Sequence, residues 1–128
     1  MSNHGAPPSN LTQLAPGAVN SQISGANDMI ASATGRRPAM FRAPYGAWSP
    51  AVLERCEKLK LAPLDWSVDP RDWARPGVRS IVSTIMRTTR SGSIILEHDG
   101  GGDRSQTVAA LTIALPRLLD AGYRFRTP

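Results

Sequence analysis

The run Ile94-Ile95-Leu96 is followed at once by Glu97, His98 and Asp99. A strand with one face in water alternates apolar and polar residues, whereas this run is continuously apolar, the pattern of a parallel strand covered on both faces. Parallel neighbours need long crossover connections, usually helical, and the rest of the chain supplies them. Val19, Ile23, Ala26 and Ile30 recur at helical spacing after Pro16, with Gly35 as a left-handed stop. Ser49 as N-cap and Pro50 at the first helical position open a second helix. Val78, Ile81, Val82, Ile85 and Met86 share one side of a third, which Gly92 closes. Ser105 opens a fourth that stops at Gly122, with a kink expected at Pro116. Strands are expected in "AMFRAPY", "APLDW" and "SIILEHD", with "YRFRT" as a final edge strand. The class is therefore α/β, alternating helices and parallel strands in an open sheet or part of a βα barrel. Residues 1–15, polar and proline-bearing, read as an N-terminal loop, and residues 16–128 as the folded body.

A chain of 128 residues makes one domain, and folding can bury about two thirds of the unfolded surface of such a chain. Its net charge of +5 would suit an acidic polymer, but the arginines are scattered without a Lys/Arg run, so no nucleic-acid partner is expected. The single cysteine, Cys56, excludes an internal disulfide and a cysteine-based zinc cluster. No stretch approaches the ~20 consecutive apolar residues of a membrane helix, so no membrane partner is expected. "MSNHGAPPSN" lacks the basic start and apolar block of a signal peptide, and localisation stays open.

In folds of this class, sites collect beyond the C-terminal ends of the strands. Three segments qualify: "RAPYG", "DPRDW" and "EHDGGG". His98, at the mouth of an apolar strand, is either a structural histidine satisfied by a loop carbonyl or a group that exchanges a proton near neutral pH. In "DPRDW", either Asp69 caps a turn and Trp73 is core, or a carboxylate tunes a histidine while the indole walls a small pocket. In "RAPYG", Pro44 fixes either a plain turn or one that aims the backbone N–H of Tyr45 or Gly46 into a site, as an oxyanion hole needs.

Taken together and in this order, the segments resemble the motifs of the polysaccharide deacetylases, carbohydrate esterase family four, also called the NodB-homology domain. The R-x-P-Y-G motif is Arg42 to Gly46, D-x-x-D-W is Asp69 to Trp73, and L-x-H-D is Leu96 to Asp99. The resemblance extends to residues 11–35 and to "LLDAGYRF" near the end. It implies a distorted βα barrel, of which this chain is the C-terminal portion, and metal-dependent hydrolysis of N- or O-acetyl groups on a polysaccharide or oligosaccharide of chitin, peptidoglycan or xylan type. By the same resemblance His98 is the general acid, Asp72 raises its basicity, and Arg42 orients the catalytic base. Trp73 and Leu96 line the acetyl pocket, and Pro44 shapes the turn whose Tyr45 N–H meets the oxyanion.

The family's other motifs depart here. Its T-F-D-D-G-P strand end carries the base and a metal ligand, yet no Asp-Asp pair occurs in this sequence. Its H-x-x-x-H-P motif would supply two metal histidines; His4 falls at the first position, but Pro8 holds the second and Ser9 the place of the proline. A catalytic zinc wants about three protein ligands, so the zinc or cobalt ion implied by the family is not expected to be retained, and activity is expected to be weak or absent. Family members are mostly secreted or wall-facing. The resemblance also places the first barrel strands upstream of Met1, leaving an apolar sheet edge on which a homodimer could form. The alternative function is a non-catalytic carbohydrate-binding or assembly module with Trp48, Trp66 and Trp73 as stacking faces.

Overall fold

Pro16 supplies a preset helical φ where a missing N–H costs nothing, and the first helix, α1 (Pro16–Thr34), starts there. It stops at Gly35, whose φ of 70° lets its N–H reach back to the Ala31 carbonyl at 2.8 Å. The computed structural model describes residues 2–3 and 10–128. The chain divides into two compact units, Met1–Asp65 and Trp66–Pro128.

In the first unit three short parallel strands, β1 (Ser2–Asn3), β2 (Met40–Phe41) and β3 (Ala62–Pro63), lie in the order β1-β2-β3. Ser2 and Asn3 thus join a sheet where the sequence reads as loop, because β2 offers them a free edge. Pro63 fits in β3 because the bonds to the neighbouring segment come from the flanking residues: Ala62 N–H donates to Ala39 O at 2.9 Å and Leu64 N–H to Phe41 O at 2.8 Å. A proline without an N–H is tolerated only on such an edge strand. Helix α2 (Pro50–Lys58) begins as expected, with the Ser49 hydroxyl accepting the Val52 N–H at 3.3 Å.

α1 and α2 bury Val19, Ile23, Val52 and Cys56 around Phe41 and Leu61. Each large side chain so buried contributes roughly 1.5–3 kcal/mol. The Trp48 ring meets Phe41 edge-on with centroids 6.0 Å apart, and its Nε1–H donates to Asp65 at 3.3 Å. Burial, only partly offset by a backbone hydrogen bond, pushes the Cys56 thiol up, which fits an inert core residue.

The second unit is built on α3 (Val78–Thr88) and α4 (Ser105–Asp120). Ile81, Val82 and Ile85 of α3 pack in one cluster with Ala110, Ala114 and Leu118 of α4, and the alanines let the two helices approach closely. The run at residues 93–96 does pair in parallel, but through a single bridge, Val68↔Ile95. Side chains end the ladder: the Ser67 hydroxyl takes the Ile94 N–H at 3.1 Å and the Asp72 carboxylate takes the His98 N–H at 2.9 Å.

Two further expectations are corrected here, the end of α3 and the final strand. α3 ends at Thr88, where Thr89 turns extended, and Gly92 serves the following turn with φ 83°. α4 opens at Ser105 as expected and holds Pro116 inside it, and its first N–H, that of Ser105, is capped by Asp103 at 2.9 Å. Residues 123–128 form no strand, because Tyr123 is drawn back: its N–H closes α4 on the Leu118 carbonyl at 3.0 Å and its hydroxyl donates to Thr89 O at 3.1 Å. Among the described residues no helix is long and apolar enough to cross a membrane.

Candidate active site

The second unit places a carboxylate by bending the backbone hard around it. Asp69 accepts the Arg71 N–H at 2.8 Å, an Asx turn. Arg71 and Arg75 both sit at φ 53° and bracket the 3-10 turn Asp72–Ala74. A left-handed conformation costs a residue with a Cβ about 1–2 kcal/mol, so two in five residues must be held by what lies between them. That is Asp72, 1% exposed.

The Asp72 carboxylate accepts from three donors. Oδ2 takes the His98 backbone N–H at 2.9 Å and the Thr107 hydroxyl at 2.8 Å, while Oδ1 lies 2.7 Å from His98 Nδ1. Thr107 comes from the first turn of α4, and its neighbour Gln106 accepts the Gly77 N–H at 2.8 Å, tying the helix start to the loop after the turn. Arg75 adds an exposed ion pair to Asp103 at 2.9 Å. Burial pushes the Asp72 carboxyl up, but the hydrogen bonds from His98 and Thr107 outweigh it and hold the group below its ordinary value.

An ionised carboxylate can only accept. His98 Nδ1 must therefore carry the proton in the 2.7 Å contact, and Nε2 is left as the nitrogen that can exchange a proton with a bound group. The His98 side chain is 33% exposed, so solvent can reach it. A structural histidine held by a loop carbonyl, the other possibility raised by the sequence, is not what the geometry shows.

Around this pair Leu96 is buried, whereas Trp73 is 48% exposed with the Arg71 guanidinium 5.1 Å from its ring centroid. Two residues of the cluster were not singled out by sequence. Thr107 is one; the signal for it is its place in the first turn of a helix behind the Asp103 cap. Glu97 is the other, and an ionisable residue ending an apolar run was its signal. Both Glu97 carboxyl oxygens are buried without a hydrogen-bond donor. Burial and then the Asp72 charge, with Asp69 farther behind, push this carboxyl up to about 8.

In the first unit the "RAPYG" segment is a tight turn. Pro44 is buried, Arg42 half-buried and Tyr45 71% exposed. Gly46 N–H donates to Ala43 O at 3.0 Å and Ala47 N–H to Pro44 O at 3.1 Å. Tyr45 and Gly46 are both left-handed, at φ 59° and 63°; glycine adopts this freely, and tyrosine only under constraint.

His4, with Pro8, lies outside the described residues. Among the described residues no group of three or more His, Cys, Asp or Glu is placed to hold a metal ion, so this cluster does not fit one and no step is assigned to a metal.

Residues 1–64 match the polysaccharide deacetylase family. A chitooligosaccharide deacetylase of Bradyrhizobium sp. (strain ANU 289) is 41% identical over 135 residues, covering 96% of this chain and 62% of the relative. The chain belongs to the polysaccharide deacetylase family.

Among solved structures in this deacetylase family, the Bc1960 peptidoglycan N-acetylglucosamine deacetylase superposes with a TM-score of 0.94 at 28% identity, covering 98% of this chain and 59% of that one. A family pseudoenzyme from Bacillus anthracis superposes with a TM-score of 0.87 at 28% identity, covering 96% and 42%. The expected class, α/β with helices and parallel strands from a NodB-homology barrel, is that of these neighbours. The chain spans 44% and 62% of the length of two curated relatives it matches.

Proposed function

We propose that this deacetylase-family chain acts in the hydrolysis of N- or O-acetyl groups on a sugar chain of chitin, peptidoglycan or xylan type, with His98 as the proton donor to the leaving group. The observation that carries this reading is the commitment of His98 Nδ1 to a buried, ionised Asp72. Collapse of a tetrahedral intermediate expels an amine or alkoxide, either of which must gain a proton; Nε2–H gives it. The Asp72 carboxylate fixes the ring orientation and stabilises the imidazolium beforehand, as the acid does in other carboxylate–histidine pairs. Trp73 and Leu96 supply apolar surface for the acetyl methyl.

In the first unit the family motif gives Tyr45 the role of oxyanion donor through its backbone N–H, with Pro44 setting the turn and Arg42 orienting the base. The constrained φ of Tyr45 supports this role, since strain at a non-glycine residue gathers at functional sites. The family is metal-dependent. The Asp-Asp pair that carries the family's base and first metal carboxylate does not occur in these 128 residues. The test is acetate release from acetylated chito- and xylo-oligosaccharides with added zinc or cobalt. Release that falls about 10²–10⁴-fold in His98→Ala supports the reading, and release indifferent to that substitution overturns it.

A second reading, sugar binding without hydrolysis, is favoured by one feature: the half-exposed Trp73 ring with Arg71 against it. Saturable quenching of tryptophan fluorescence by chito-oligosaccharides, with no acetate released, would select it.

A further inference from the structure

Glu97 is the ionisable side chain that this chemistry leaves unused. It lies between buried Leu96 and His98, just beyond the Val68↔Ile95 bridge. Neither of its oxygens reaches solvent or meets a donor. The charged groups acting on it are the carboxylates of Asp72, from the 3-10 turn, and Asp69, from the loop before it. The donors nearby are already taken: the His98 N–H, the His98 ring and the Thr107 hydroxyl of α4 all point at Asp72. A buried carboxylate without a donor beside a second carboxylate is an unfavourable arrangement. A protonated one is not, because its O–H can donate to Asp72.

We propose that Glu97 is a positioning residue acting through Asp72: as a neutral acid it hydrogen-bonds the Asp72 carboxylate, and on losing its proton it sets a second negative charge beside the Asp72–His98 pair. Its value of about 8 places the change within a working pH range. The protonated form draws on the Asp72 lone pairs, loosens the hold of Asp72 on the His98 imidazolium and eases proton release from Nε2. The ionised form tightens that hold and slows proton release. The arrangement parallels carboxylic acids kept neutral by apolar sites so that they can donate. Its catalytic consequence rests on the reading of His98 as proton donor, but the coupling itself is read without turnover, so the two can fail separately.

The experiment is a pH titration of the full chain by carbon-13 NMR, following the Glu97 carboxyl and the His98 ring carbons. The expected result is a Glu97 midpoint near 8 and an inflection of the His98 signals at the same pH. In Glu97→Gln, which keeps a neutral donor, that inflection disappears. A Glu97 carboxyl fully titrated below about pH 6, as an ordinary glutamate would be, overturns the proposal; so does a His98 inflection that persists in Glu97→Gln. Should the substitution prevent folding, the wild-type carboxyl titration decides alone.

Discussion

The two units carry family motifs in opposite ways. In the first, the turn at residues 42–46 leaves the Tyr45 side chain exposed while holding its backbone at φ 59°. In the second, the backbone is bent at Arg71 and Arg75 so that a side chain, Asp72, can be buried and met by His98 and Thr107. A motif of similar length thus stores a direction in one case and a charge in the other, and substitutions should separate them.

The sharpest separation is expected from Asp72→Ala, which leaves the His98 and Thr107 donors buried and unpaired. It should cost about 3–5 kcal/mol by chemical denaturation, the range for breaking a buried pair; a loss under ~1 kcal/mol would make this site no different from a surface one.

Next is pH. The folded value of Glu97 is raised from 4.5 to about 8, so its contribution is fully present below 4.5 and lost as pH rises through about 8, with a limiting slope near 1.4 kcal/mol per pH unit that solvent screening reduces. The folded value of Asp72 is lowered from 3.8, so its contribution is present above 3.8 and lost as pH falls through the lowered value. The cluster is therefore most stabilising between 3.8 and 4.5, and urea midpoints across pH should decline on both sides, with Glu97→Gln abolishing the alkaline decline.

The backbone-borne motif answers more quietly. Tyr45→Gly should raise stability by about 1 kcal/mol by removing left-handed strain, and Tyr45→Val should lower it by a similar amount; thermal melts that move together would mean that the ring, not φ, matters there. Smallest is Trp73→Ala, which removes an exposed cation–π contact worth about 0.5–1 kcal/mol and should leave the Asp72–His98 pair intact, as His98 chemical shifts would report.

Local chemistry made much of this legible. The Ser49–Pro50 start and the Gly35 stop are written in single residues whose conformational preferences hold regardless of surroundings. The strand lengths were not, because the ladder after Ile95 is ended by a side chain 26 residues away in sequence. Asp72 and His98 were legible through their motifs, whereas Thr107 meets Asp72 across 35 residues and only tertiary packing brings them together. Glu97 looked like a polar strand end, and its isolation from donors emerges only once Asp72 is seen to have claimed them.

The most direct measurement is nitrogen-15 NMR of the neutral His98 ring. A proton on Nδ1 and a bare Nε2 are expected, with Asp72→Asn disturbing that assignment. A neutral ring carrying its proton on Nε2 would contradict the donor geometry on which the proposed function stands.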